Sequence, residues 1–217
     1  MTIRIYLVPL WLRFWHWANA ACFLALLLTG ISLHFASIKT PLIPFELAQT
    51  VHNVAGISMA VLWVLLVLFN ALTGNWRQFM PKFKTFLPRL LKQQMFYGVE
   101  IFKGADHPFP KTKEEKFNPL QQVTYLGVVY GLLPILIVTG LLFLFPEYAP
   151  DKIFGMGGIW PIAVTHYLIG LFLSAFLVVH VYMITIGETL LSELKMMITG
   201  WHEEHEAKPK QTEKDHV

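Results

Sequence analysis

Four histidines, His16, His52, His166 and His180, each stand in a stretch of sequence apolar enough to lie in lipid. An ionisable side chain at membrane depth is costly and tends to be kept there by function. Imidazole in such a place can relay protons, ligate a metal, or hydrogen-bond within the packing. Spacing narrows the choice. His166 and His180 are 14 residues apart, about 1400° of helix at about 100° per residue, so both project from nearly one face. Their rise is roughly 21 Å, too far for one metal ion to bridge. Two stacked sites answer that distance, each with a second ligand from another helix.

The elements that must position these rings are marked by absent charge. No Asp, Glu, Lys or Arg occurs between Arg13 and Lys39, Glu46 and Arg77, Lys116 and Glu147, or Lys152 and Glu188. Each interval reaches the roughly 20 residues that cross a bilayer as helix. With 55% hydrophobic residues, 14% charged and a mean hydropathy of +0.51, the composition excludes an ordinary soluble domain. The fold class expected is all-α, an integral membrane four-helix bundle over residues 1–187. Its spans have cores at about 12–34, 50–73, 120–145 and 160–186, joined by a connection at 74–119 and followed by a tail at 188–217. The N-terminal basic arm and apolar run are read as the first span, because no small-x-small cleavage pattern follows them.

Of the 17 Lys and Arg, nine lie between the second and third spans, and only Lys39 and Lys152 fall in the other two connections. Cytoplasmic connections collect Lys and Arg, so both termini and the 74–119 segment are expected on the cytoplasmic side of a bacterial-type inner membrane. The net charge of +3 is then a topology signal, and no nucleic-acid partner is expected.

This topology pairs the histidines. His16 begins the first span and His180 lies near the end of the fourth, so both belong to the inner half. His52 begins the second span and His166 lies five residues after Pro161 in the fourth, so both belong to the outer half. Two imidazoles from facing helices fill both axial positions of a haem iron and suit outer-sphere electron transfer. Zinc would want four donors, and the lone Cys22 rules out Cys-based clusters and covalent C-x-x-C-H haem attachment. Copper and a histidine proton relay remain open. His34, 18 residues after His16 and on the same face, is an alternative to His52. The tail H-E-E-H, His202 and His205, is one residue short of H-E-x-x-H, and His107 reads as a loop residue.

Smaller signals surround these sites. Thr-Gly occurs in the first span (Thr29, Gly30) and again in the third (Thr139, Gly140), while H-x-x-x-G occurs at His52–Gly56 and His166–Gly170. Small residues in membrane helices mark close helix contact, and a glycine one turn from a histidine would also clear space for a flat macrocycle. Phe83, Phe86, Leu87, Leu90, Leu91 and Met95 alternate with Lys84, Arg89 and Lys92 at helical spacing, which predicts an interfacial amphipathic helix or else a solvated basic loop. The last residues, from Ala207, are expected to be disordered on composition.

The motifs R-F-W-H-W, V-H-N-V-A-G and K-F-N-P-L-Q-Q at the starts of the first three spans, with the paired histidines of the fourth, resemble the di-haem cytochrome b subunits of membrane-bound formate dehydrogenases, nickel-iron hydrogenases and thiosulfate or tetrathionate reductases. The resemblance covers nearly the whole chain, and the 14-residue histidine separation is that of the formate dehydrogenase branch. It implies two haems b, with His16 and His180 on the inner and His52 and His166 on the outer. It also implies an iron-sulfur subunit and a catalytic subunit on the outer face of an oligomeric respiratory complex, and a quinone, menaquinone or ubiquinone, near the cytoplasmic side. Asn118 and Gln121 match the quinone-pocket Asn-x-Gly-Gln segment of that branch, with Leu120 in place of its glycine. From the residues alone, Asn118 followed by Pro119 reads equally as a helix cap. The function expected is electron exchange between the iron-sulfur subunit and the quinone pool, with no catalytic residue of its own. The alternatives are a stand-alone transmembrane cytochrome and a haem-free proton-relay transporter.

Overall fold

A computed structural model describes residues 2–35, 42–105, 107–112, 115–185 and 189–205. Lys39 and the tail from 206 onward, with the expectation of disorder there, lie outside the described residues. The four charge-free intervals become α1 (Leu10–Phe35), α2 (Phe45–Thr73), the pair α4 (Pro119–Gly127) and α5 (Leu133–Leu144), and α6 (Ile159–Ile184). A helix of 26 residues is about 39 Å long, enough for the roughly 30 Å hydrocarbon layer. α2 starts at Phe45, earlier than its expected core. Pro44 is its N-cap, whose carbonyl accepts from Ala48 N at 2.9 Å, and Glu46 complements the positive end of the helix dipole. Gly74 (φ +71°) closes α2 in the left-handed region.

The third span is one rod with a π-turn, Val128–Leu132, between α4 and α5. The Leu133 N–H reaches back to Val128 O, so the next carbonyl in the i to i+5 pattern, Val129 O, would need an N–H from residue 134. That residue is proline and has none. The Trp63 indole on α2 donates to Val129 O instead, at 2.8 Å. A backbone acceptor freed by proline at membrane depth is thereby satisfied from a neighbouring helix.

α1 packs along α2 and α5 along α6, with α2 against α5 in the middle. The approach of α6 to α1 and α2 is far sparser, which leaves space between the two hairpins. Residues such as Phe14, Leu28, Val61, Leu72 and Val178 turn outward and are exposed. For helices of this length and apolarity, lipid rather than water is the solvent that suits them.

The connections gather at two ends. At the loop end, β2 (Lys152–Ile153) and β3 (Met156–Gly157) form a small hairpin between α5 and α6. At the terminal end lie β1 (Thr2–Tyr6), α3 (Phe86–Met95), α7 (Ser192–Thr199) and β4 (Trp201–His205). Leu87, Leu91 and Met95 of α3 turn outward, as does Phe83 just before it, while Gln93 and the following Phe96 are buried, the arrangement of an interfacial helix. Residues 189–205 of the expected tail are folded: β4 pairs antiparallel with β1, and Leu7 and Val8 pack on Met196. Gly200 (φ +87°) makes this possible, because a Cβ there would meet the Tyr6 ring at 2.6 Å and Val8 O at 2.7 Å.

Candidate functional site: two imidazole pairs between the hairpins

α6 carries His166 and His180 on nearly one side, and each meets a histidine from another helix. His166 stands opposite His52 of α2 with ring centroids 6.4 Å apart, and His180 opposite His16 of α1 at 6.2 Å. With a metal–nitrogen bond of about 2 Å and a ring centre about 1.2 Å behind its nitrogen, two imidazoles on opposite sides of one metal would have centroids roughly 6.4 Å apart. Both pairs fit that spacing. The pairs lie at different depths, set by the roughly 21 Å rise between His166 and His180.

The loop-end pair borders a cavity of about 540 Å³ lined by α1, α2, α5 and α6, with walls mostly of Leu, Ile and Phe side chains. This is within the size range of cofactor sites. Thr29 Oγ1 lies 2.9 Å from His52 Nδ1, and Thr139 Oγ1 lies 2.9 Å from His166 Nδ1. The following glycines form a cradle: a Cβ at Gly30 would sit 3.5 Å from His52 Cε1, and one at Gly140 would sit 3.2 Å from His166 Cε1. Gly56 and Gly170, one turn beyond the histidines, line the same cavity, and a Cβ at Gly170 would meet nothing within 4 Å. His34 also lines it, but stacks on Tyr167 at 4.4 Å; the imidazole that faces His166 belongs to His52.

The terminal-end pair has different surroundings. His16 stands edge-on to Trp17 at 5.1 Å, and His180 lies against Phe176 at 5.9 Å. His16 Nδ1, Arg13 Nε and Asn19 Oδ1 are all buried without a hydrogen-bond partner. At three-residue spacing these share one side of α1. Buried polar atoms are almost always satisfied in a folded protein, so three orphans in a row mark a place where a further group belongs.

The donor set agrees. Among the described residues no three His, Cys, Asp or Glu side chains come together around a point, so each pair supplies two nitrogens and nothing more. A porphyrin brings four equatorial nitrogens of its own and needs only two axial ligands. The paired imidazoles, the glycine cradle and the apolar cavity therefore fit haem.

Asn118 and Gln121 sit at the terminal end of the third span, where they form a reciprocal capping box. Asn118 Oδ1 accepts from Gln121 N at 2.9 Å, and Gln121 Oε1 accepts from Asn118 N at 3.1 Å. The Asn118 Nδ2 amide also donates to Tyr97 Oη at 3.3 Å. Next to it lies a polar group that the sequence did not announce: His107 is near Gln93 (3.3 Å) and Tyr97 (3.5 Å), and Lys111 pairs with Glu193 of α7 at 2.5 Å. Burial beside Phe96 pulls the His107 pKa below its ordinary value and pushes that of Tyr97 up.

Residues 7–200 match the family model described as prokaryotic cytochrome b561. The chain is also 39% identical, over 199 residues, to the Escherichia coli (strain K12) protein named "Putative cytochrome YdhU", an alignment covering 92% of this chain and 75% of that protein. The chain belongs to the prokaryotic cytochrome b561 family, and is accordingly an integral-membrane, haem-b-binding cytochrome of electron transfer.

Proposed function

We propose that this cytochrome holds two haems b, one between His52 and His166 and one between His16 and His180. In this reading it exchanges electrons between the iron-sulfur subunit of a respiratory oxidoreductase and the membrane quinone pool. The observation that carries the proposal is the repetition of one imidazole pairing, at 6.4 and 6.2 Å, at two depths along a single helix. Haem bound between such ligands supplies reversible one-electron chemistry. The protein's part is positional. The two imidazoles of each pair would hold the group between their helices, and the mostly Leu, Ile and Phe lining would give the loop-end site an apolar surrounding.

The excess of Lys and Arg in the 74–119 connection supports a cytoplasmic terminal end, which makes the loop end the outer face where an iron-sulfur subunit would dock. The quinone is assigned to the terminal end, beside Asn118 and Gln121. Both amides spend an oxygen on the helix cap, so the Gln121 Nε2 amide is the group left to donate to a quinone carbonyl.

Pyridine haemochrome analysis of the purified chain should give about two haems b per polypeptide, and a haem-free chain would overturn the proposal. Gln121→Glu retains a carboxylate oxygen for the cap but loses the amide donor. Haem content should be retained while quinol-dependent haem reduction slows; unchanged quinol kinetics would remove Gln121 from the site.

A further inference from the structure

The loop-end pair carries more than two ligands, because each of its imidazoles is held from behind by a threonine. Thr29 Oγ1 lies 2.6 Å from Ala25 O, and Thr139 Oγ1 lies 2.8 Å from Ile135 O. A carbonyl oxygen only accepts, so the single hydroxyl hydrogen of each threonine is donated into the turn below it. Toward the imidazole, 2.9 Å away in both cases, each hydroxyl oxygen can then only accept. The hydrogen in that contact must come from the histidine. A neutral imidazole has one N–H, so with Nδ1 as donor the lone pair resides on Nε2. Thr29 is 3% and Thr139 6% exposed, so water does not compete for these bonds.

The device is used twice with one construction. α1 offers Thr29-Gly30 to His52 of its hairpin partner α2, and α5 offers Thr139-Gly140 to His166 of its partner α6. The threonine holds the ring nitrogen, and the glycine lets the ring lie against the helix backbone.

Resting on the assignment of His52 and His166 as ligands of one haem, we propose that Thr29 and Thr139 are positioning residues for that haem. They fix the Nδ1–H tautomer of both imidazoles, present Nε2 as the ligating atom, and raise ligand basicity by accepting from Nδ1–H. More basic axial ligands favour the ferric over the ferrous state, so the loop-end haem is held at a lower potential than the same ligands alone would give. The terminal-end site lacks the device at His16, whose Nδ1 has no partner.

Equilibrium redox titration of the haem-loaded full chain in detergent tests this, with Thr29→Val and Thr139→Val against Thr29→Ser and Thr139→Ser. Each valine variant should raise the midpoint potential of one haem by a roughly tenfold change in the ferric-to-ferrous ratio, about 59 mV for one electron. The other haem should not move, and serine, which keeps the oxygen, should restore the original potential. Equal shifts in both haems, no shift in either, or serine variants that shift as far as valine would overturn the proposal. Where a valine variant loses a haem, serine decides: haem retained there supports the role, and haem lost there overturns it. A chain that binds no haem before any substitution would overturn the functional assignment as well, whereas two haems with unmoved potentials overturn the positioning role alone.

Discussion

At the loop end, His52 and His166 each have Nδ1 against a buried threonine, a glycine beneath the ring, and an apolar cavity in front. At the terminal end, His16 has its Nδ1 unpartnered and shares one side of α1 with the unpartnered Arg13 Nε and Asn19 Oδ1. The centroid spacings differ by little, 6.4 against 6.2 Å, so the contrast lies in what stands behind the rings. Leaving a buried polar group unmatched costs about 1–3 kcal/mol. The loop-end site is finished by helix–helix contacts that exist without a ligand, while the terminal-end site stays polar and unfinished until something enters it. If both pairs hold haem as proposed, the loop-end site is the preorganised one and the terminal-end site is the one its occupant completes.

The largest effects should come from removing a ligand, and they test whether the two sites are separate at all. His52→Ala and His166→Ala should each lower the haem content from about two to about one per chain, leaving the same residual spectrum. His16→Ala and His180→Ala should leave the complementary spectrum. If members of one pair leave different residual haems, or any single change removes both, the division into two sites fails.

Overpacking the cradle should give a smaller, graded effect confined to the loop end. A Cβ at Gly140 would sit 3.2 Å from His166 Cε1, and one at Gly30 would sit 3.5 Å from His52 Cε1. Gly140→Ala must therefore displace its imidazole by a few tenths of an ångström, at a cost of about 1 kcal/mol, whereas Gly30→Ala makes an ordinary contact. Electron paramagnetic resonance of the oxidised protein should show one low-spin haem signal shifted by Gly140→Ala and little changed by Gly30→Ala. Equal shifts would mean that the rings do not rest on these glycines.

Much of this arrangement was legible before the structure. Long charge-free runs reveal spans without any need for periodicity, and the 14-residue offset places His166 and His180 on one face wherever a helix forms. The role of Thr29 and Thr139 was not legible, although the Thr-Gly echo was visible. A small polar residue in a membrane helix also serves plain packing, and only coordinates show which ring its hydroxyl meets. β4, W-H-E-E-H, has no apolar alternation to announce a strand; it exists because T-I-R-I-Y lies alongside and Gly200 turns the chain there. Asn118 and Gln121 illustrate the opposite case, in which the two residues proposed for quinone are also a complete capping box.

The unfinished character of the terminal end can be probed through Asn19. In haem-free protein, Asn19→Leu removes a buried, unmatched acceptor and should stabilise the chain by about 1 kcal/mol in thermal unfolding. In a His52→Ala background, where the terminal-end haem is the one retained, the same substitution should alter the haem spectrum. In a His16→Ala background it should leave the remaining haem untouched. A spectrum insensitive to Asn19→Leu in both backgrounds would mean that the orphaned acceptor has nothing to do with the bound group.

The smallest expected effect extends the comparison to proton linkage. His107 belongs to the terminal end, among Gln93, Tyr97, Phe96 and the Lys111–Glu193 pair, and burial holds its pKa below the ordinary 6.5. The folded state thus resists protonation that the unfolded chain accepts. The resulting stability is fully present above pH 6.5 and is lost as pH falls from there through the folded pKa, because in that window the unfolded state binds more protons. His107 is an exposed residue overall, so the slope should be shallow. Thermal unfolding of the haem-loaded protein between about pH 7 and pH 5 should show a smaller loss of stability in His107→Gln than in the parent. Parallel curves would mean that His107 contributes nothing to the pH dependence of stability.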